Sequence, residues 1–151
     1  MSNEGNSRVG AARPTAFLSY SRVDQAKARA LAEVLEAGGI EVWWDTLIEG
    51  GAAFSKSIAA ALEKSNAVIV LWSPASVGSD WVLDEATRGR DLRKLVPLLL
   101  GIAEPPLGFL QYHAIGIAAW DGRSADATTA RIVQAVAALA GQAPPPRRPA
   151  T

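Results

Sequence analysis

The chain has 151 residues, close to the size of one ordinary domain, and 49% of them are apolar, enough for one substantial core. Fifteen basic and fifteen acidic side chains cancel, which removes the global field that draws proteins onto nucleic acid or anionic lipid, so neither nucleic acid nor membrane is an expected partner. The absence of cysteine excludes disulfide scaffolds, thiolate nucleophiles and cysteine metal sites, and suits a reducing, cytoplasmic compartment.

Residues 1–13 are polar and lack the apolar segment of a secretory signal, so they read as a flexible leader. From there, short apolar runs alternate with longer segments of helical period, the pattern of parallel strands joined by crossover helices. Ala16 to Tyr20 is a predicted strand, and Gln25 to Ala37 a helix with Leu31, Val34, Leu35 and Gly38 on one face, stopped by Gly38-Gly39. Glu41 to Trp44 is a second strand, followed by a glycine-bearing loop and a helix in which Phe54, Ile58 and Leu62 recur every four residues. Ala67 to Trp72 is an unbroken apolar strand, as expected in the middle of a parallel sheet covered on both faces.

Ser73-Pro74 and Gly78 then mark a loop, Asp80 to Arg90 a helix, and Leu95 to Leu100 a fourth strand ending at Gly101. The apolar run Leu95 to Ala103 is far shorter than the roughly 20 residues that span a bilayer. Pro105-Pro106 forces an irregular connection, Ala114 to Trp120 supplies a short edge strand, and Asp126 to Ala140 is a last helix with Ile132, Val133, Val136 and Leu139 on one stripe. Residues 141–151 hold four prolines beside Arg147 and Arg148 and read as a polyproline-type tail or linker. The expected fold is α/β, a flavodoxin-like three-layer sandwich around a five-stranded parallel sheet, whose ligands bind beyond the carboxyl ends of the strands.

Three segments meet at those ends. Phe17-Leu18-Ser19-Tyr20-Ser21-Arg22-Val23-Asp24 is an apolar strand running into Ser-Tyr and closing near an Asp; Val42-Trp43-Trp44-Asp45 leads into a loop in which Gly51 precedes Phe54 by three residues; Trp81 and Glu85 form Trp-x-x-x-Glu. In this order and spacing they resemble the box-one segment, the BB loop and the catalytic-glutamate motif of TIR (Toll/interleukin-1 receptor) domains, here over residues 14–140. The chain departs from the pattern at Gly50, where many members have Pro or Ala, and at Ser21, where some carry a basic residue.

The residues of the third segment agree independently. Trp81 and Glu85 are one helical turn apart, so an indole and a carboxylate share a wall, and a position near the start of a helix favours the ionised carboxylate through the macrodipole. Taken without the resemblance, Glu85 is better read as a solvated surface residue and Trp81 as ordinary core.

The resemblance to TIR enzymes implies NAD+ as substrate, with no separate cofactor and no metal, and Glu85 as the carboxylate facing the positive charge that develops on ribose as nicotinamide leaves. It further implies substrate contacts from Tyr20, Ser21 and Arg22 after the first strand, from Glu49, Gly51 and Phe54 through the BB loop, and from Trp81. Ser21 and Arg22 read equally well as a capped turn with a surface Arg, and Phe54 as core. Asp45 is expected to anchor its loop, and His113 has no assigned role. The product, ADP-ribose or a cyclic ADP-ribose, stays open. The resemblance also implies TIR–TIR self-association including the BB loop, a fused or separate sensor domain beyond the C-terminal linker, and a place in signalling or antiviral defence; a non-catalytic adaptor module is the competing expectation. A flavodoxin-like nucleotide or phospho-acceptor domain is disfavoured, because Gly-x-Gly-x-x-Gly, the P-loop and a paired acidic cluster with downstream Lys are all missing.

Overall fold

The structure, a computed structural model, describes residues 13–44, 52–111, 114–117, 120 and 127–141, with the backbone alone over 52–57. Residues 1–12 of the leader, residues 142–151 of the proline-rich tail, Asp45, Glu49, Gly51, His113 and the side chain of Phe54 lie outside the described residues. In chain order the elements are β1 (Thr15–Ser19), α1 (Gln25–Ala37), β2 (Glu41–Trp43), α2 (Ala52–Lys64), β3 (Ala67–Trp72), α3 (Asp80–Asp91), β4 (Leu95–Leu99), β5 (Ile115–Gly116) and α4 (Ala127–Leu139). All strand pairs are parallel and the sheet order is β2-β1-β3-β4-β5. This is the doubly wound order in which the chain reverses direction between β1 and β3, opening a crevice at their carboxyl ends.

Side-chain alternation along the two inner strands builds the layers. Ala16, Leu18, Ile69 and Leu71 face α1 and α4, while Phe17, Val68, Val70 and Trp72 face α2 and α3. Burial on both faces is why β3 is apolar without a break. At the amino ends, Thr15 and Asn66 clasp β1 to the start of β3: the Thr15 N–H donates to Asn66 Oδ1 at 2.9 Å and the Asn66 N–H to Thr15 Oγ1 at 3.0 Å.

The stop of α1 divides the work of its two glycines. Gly39 takes the left-handed conformation (φ +96°), whereas Gly38 does not; a Cβ on Gly38 would stand 3.2 Å from Val133 Cγ2 of α4. Pro97 stands in β4 between β3 and β5, where a missing N–H usually breaks a ladder. Here the Leu100 N–H turns to β3 and the Leu99 carbonyl to β5, so by alternation Pro97 faces the β5 side. β5 is only two residues long and pairs from Leu98 onward, so the proline removes no ladder bond.

Two expectations need correction. The edge strand does not run from Ala114 to Trp120: pairing covers Ile115–Gly116, the Trp120 N–H donates to Ile117 O, and the indole is buried in the core, where its Nε1 donates to Thr129 Oγ1 at 3.1 Å. On α4 the buried stripe is Thr129, Ile132 and Val136; Leu139, expected in it, lies in the last turn and is 38% exposed.

Lys94, at the entrance to β4, caps the carboxyl end of α2. Its ammonium donates to the carbonyls of Leu62 (2.8 Å), Glu63 (3.0 Å) and Ser65 (2.6 Å), groups that a helix end leaves unpaired. Burial strips part of its hydration and lowers its pKa from 10.5, while the Glu63 carboxylate works in the other direction. Lys94→Met keeps the stem and removes the donors, so it is expected to lower stability by about 1–2 kcal/mol in urea unfolding; unchanged stability would mean that water satisfies those carbonyls as well.

Candidate functional site

Glu85 is carried by α3, which starts where Ser79, as N-cap, accepts from the Val82 N–H at 3.3 Å. The buried face of this helix is Val82, Glu85, Ala86 and Gly89, so the carboxylate occupies a slot in an otherwise apolar stripe. Only 9% of Glu85 is exposed, which contradicts its reading as a solvated surface residue. A buried carboxylate is costly unless hydrogen-bonded. β1 supplies the bond: Ser19, 1% exposed and last in the strand, shares the face of Phe17, and its hydroxyl donates to Glu85 Oε1 at 2.5 Å. At 2.5 Å the bond lies at the short end of the range for a hydroxyl donating to an oxygen.

This replaces the expected role of the helix dipole. Glu85 is in the second turn of α3, beyond the first turn where the macrodipole acts appreciably, whereas Asp80 occupies the first. At this site a side chain of β1, Ser19, donates a hydrogen bond to Glu85.

A second serine–carboxylate pair crosses the same crevice in the opposite sense. Ser73, directly after β3, donates from Oγ to Asp24 Oδ2 at 2.5 Å, in the turn that follows β1. Asp24 precedes α1 but makes no side-chain capping bond to it, because its carboxylate is committed to Ser73. Ser76 holds Ser73 in turn: its Oγ accepts from the Ser73 N–H at 2.7 Å and donates to Leu71 O at 2.7 Å. Each inner strand thus ends in a serine bonded to a carboxylate that follows the other strand. Sequence reading gives no role to Ser19 or Ser73; the available signal is a hydroxyl at the end of an apolar strand, on the face that alternation directs at a helix.

Two hollows border Glu85. The smaller, about 10 Å³, lies between the ends of β1 and β2 and α3, with Tyr20, Trp43, Trp81 and Glu85 in its wall; that is about the volume of one water probe. The larger, about 290 Å³, opens between α2 and α3 and is lined by Ile58, Leu62, Glu63, Trp81, Glu85 and Arg88 among others. Trp81 and Glu85 share both walls, as their spacing predicts. At the rim, Arg88 Nε donates to Glu63 Oε2 at 2.6 Å and its Nη2 also contacts that oxygen, joining α3 to α2. Both side chains are well exposed, so this pair contributes at most about 1 kcal/mol.

Of the other expected contacts, Tyr20 is buried and its ring lies 6.1 Å from that of Trp44, tilted by 55°. Ser21 accepts from the Val23 N–H at 3.4 Å, the capped turn of the simpler reading, and Arg22 is exposed; among the described residues neither lines the hollows beside Glu85. A third cavity, about 480 Å³, sits at the opposite end of the sheet between Thr15, Glu41, Trp43, Lys64 and Ser65, away from the carboxylate. No helix among the described residues is long and apolar enough to cross a membrane.

A model of the TIR domain family matches residues 16–133. Among solved structures, a metazoan TIR-STING receptor from C. gigas in complex with 2',3'-cGAMP is similar, with TM-score 0.64 and 26% identity over 80% of this chain and 38% of that chain. The chain therefore spans well under half of that receptor. The TIR domain of the Toll-related receptor TRR-2 from Hydra magnipapillata gives TM-score 0.68 at 20% identity, covering 80% of this chain and 96% of that one. The TIR domains of the activated Roq1 resistosome, which directly recognises the pathogen effector XopQ, give 0.51 at 20% identity, covering 86% and 85%. At that identity the last two show the fold alone. No curated protein sequence matches. The family model spans most of the chain and the sheet has the doubly wound parallel order expected of such a domain: the chain belongs to the TIR domain family.

Proposed function

We propose that this TIR domain cleaves NAD+ at the nicotinamide–ribose bond with Glu85 as the catalytic carboxylate. The observation that carries the reading is a buried carboxylate, fixed by a strand hydroxyl at the reversal of the sheet and bordering an open hollow of about 290 Å³. That volume is at the lower end of small-molecule sites and suits the nicotinamide-ribose end of the dinucleotide. Trp81 supplies a flat apolar wall for the departing ring.

The chemistry asks for one negative charge. As the C–N glycosidic bond breaks, its electron pair leaves with nicotinamide, which departs neutral, and positive charge spreads over C1′ and the ring oxygen of ribose. A carboxylate about 4 Å away, at an effective dielectric of about 20, stabilises that charge by roughly 4 kcal/mol, or about a thousandfold in rate. Water attack on C1′ gives ADP-ribose and a proton; attack by a nucleophile of the substrate itself gives a cyclic ADP-ribose. Substrate contact by Tyr20, which the family resemblance implies, would require the smaller hollow to open, since Tyr20 lines that one-water space and is itself buried.

The test is chromatography of NAD+ incubated with the purified protein, resolving nicotinamide and each ADP-ribose isomer. Self-association enters the reading through the family, since one similar structure is an assembled resistosome. Turnover per molecule is accordingly expected to rise at least several-fold with protein concentration or enforced oligomerisation. No turnover at any concentration would favour an adaptor that only binds other TIR domains.

A further inference from the structure

We infer that Ser19 is a positioning residue for Glu85: its hydroxyl selects the rotamer and the ionised form in which the carboxylate works. The inference rests on the reading of Glu85 as the catalytic group and adds a residue that acts through it. Three observations meet in Ser19. Its side chain is 1% exposed at the end of a strand whose other members are apolar except for Thr15 at its start. Its hydroxyl donates to Glu85 Oε1 at 2.5 Å. It lies at the reversal point of the sheet, in register with Val70 of β3, so the donor is fixed by backbone pairing.

A Ser hydroxyl rotates freely to suit its acceptor, and a hydrogen bond to the charged form of a carboxyl favours that form. Glu has three side-chain torsions, and α3 by itself leaves several open. With one oxygen tied to β1, the carboxylate is held against the sheet beside both hollows. The crossed pair, Ser73 on Asp24, provides an internal control: it braces the same crevice with the same chemistry between two other residues.

The experiment compares wild type, Ser19→Ala, Ser19→Thr and Ser73→Ala. Two readings are taken: kcat and KM for nicotinamide release against pH, and titration of the Glu85 carboxyl by ¹³C NMR of protein labelled in glutamate, assigned with Glu85→Gln. Ser19→Ala is expected to lower kcat about tenfold to hundredfold, the value of one hydrogen bond to a charged group. KM should stay within about twofold, and both the acid limb of kcat and the Glu85 titration should move to higher pH. Ser19→Thr, which restores a hydroxyl, should recover most of kcat and return the titration towards wild type; Ser73→Ala should leave the Glu85 titration where it is. A Glu85 titration unchanged in Ser19→Ala, or moved equally by Ser73→Ala, overturns the inference. If wild type releases no nicotinamide, the proposed function fails, and the NMR titration still decides whether Ser19 governs the carboxyl.

Discussion

Nicotinamide release is expected to fall about a thousandfold in Glu85→Gln, with the fold intact. The magnitude is the Coulomb estimate for one carboxylate beside a developing ribosyl cation. Glutamine is the cleaner substitution because it matches the volume of glutamate and keeps an oxygen to accept from Ser19, so the Ser19 hydroxyl remains paired. Glu85→Ala should be equally inactive but also less stable by about 1–3 kcal/mol, since it leaves a buried hydroxyl without its acceptor and a void in the α3 stripe. Circular dichroism and thermal melting would show Gln close to wild type and Ala below it. Turnover by Glu85→Gln within about threefold of wild type would remove Glu85 from the chemistry, whatever the stability data say.

The contrast between these two variants follows from a placement that sequence conveys only in part. The period of α3 puts Trp81 and Glu85 one turn apart, and the structure agrees. Periodicity alone cannot say whether that turn faces the sheet or water, because a polar residue in an apolar stripe scores as an interruption. The deciding partner, Ser19, is 66 positions away, and β1 reaches α3 only through the parallel pairing of β1 with β3. Strand alternation would have shown which face Ser19 takes, but not that a carboxylate waits there. A second long-range contact commits Asp24, at the N-cap position of α1, to Ser73 instead of to the helix it precedes.

Elements whose ends carry a local signal are the most legible. β3 and α1 have the predicted ends, because an unbroken apolar run and a glycine stop are local signals. The expected β5 is longer than the observed one because Ile115, Ile117 and Trp120 are all buried, and burial beyond a strand leaves the same apolar signature as burial within it. Leu139 failed for the complementary reason: it has the right phase for the stripe of α4, but the core has ended by the last turn of the helix.

Gly89 sets how closely α3 approaches the sheet, and replacing it is expected to harm both stability and catalysis. By helix propensity alone, Gly89→Ala should stabilise α3 by about 1 kcal/mol. A Cβ there would stand 2.8 Å from Val68 Cβ and 3.0 Å from Val68 Cγ1. The nearest atom is bonded directly to the backbone of a central strand and cannot swing aside, and Val68 itself is fully buried. Overpacking of this kind costs about 1–3 kcal/mol, so against the propensity gain the net change is a loss of up to about 2 kcal/mol, measurable as a lower urea midpoint at unchanged slope. Gly89→Leu should be worse by more than this. The helix can accommodate alanine only by moving outward by a few tenths of an ångström, and Glu85 is one turn away on the same buried face. The 2.5 Å bond to Ser19 would then lengthen, so nicotinamide release should drop severalfold even under conditions where Gly89→Ala is fully folded. A more stable Gly89→Ala protein would show that α3 is not pressed against β3; a less stable one with undiminished kcat would show that the carboxylate tolerates displacement from its serine.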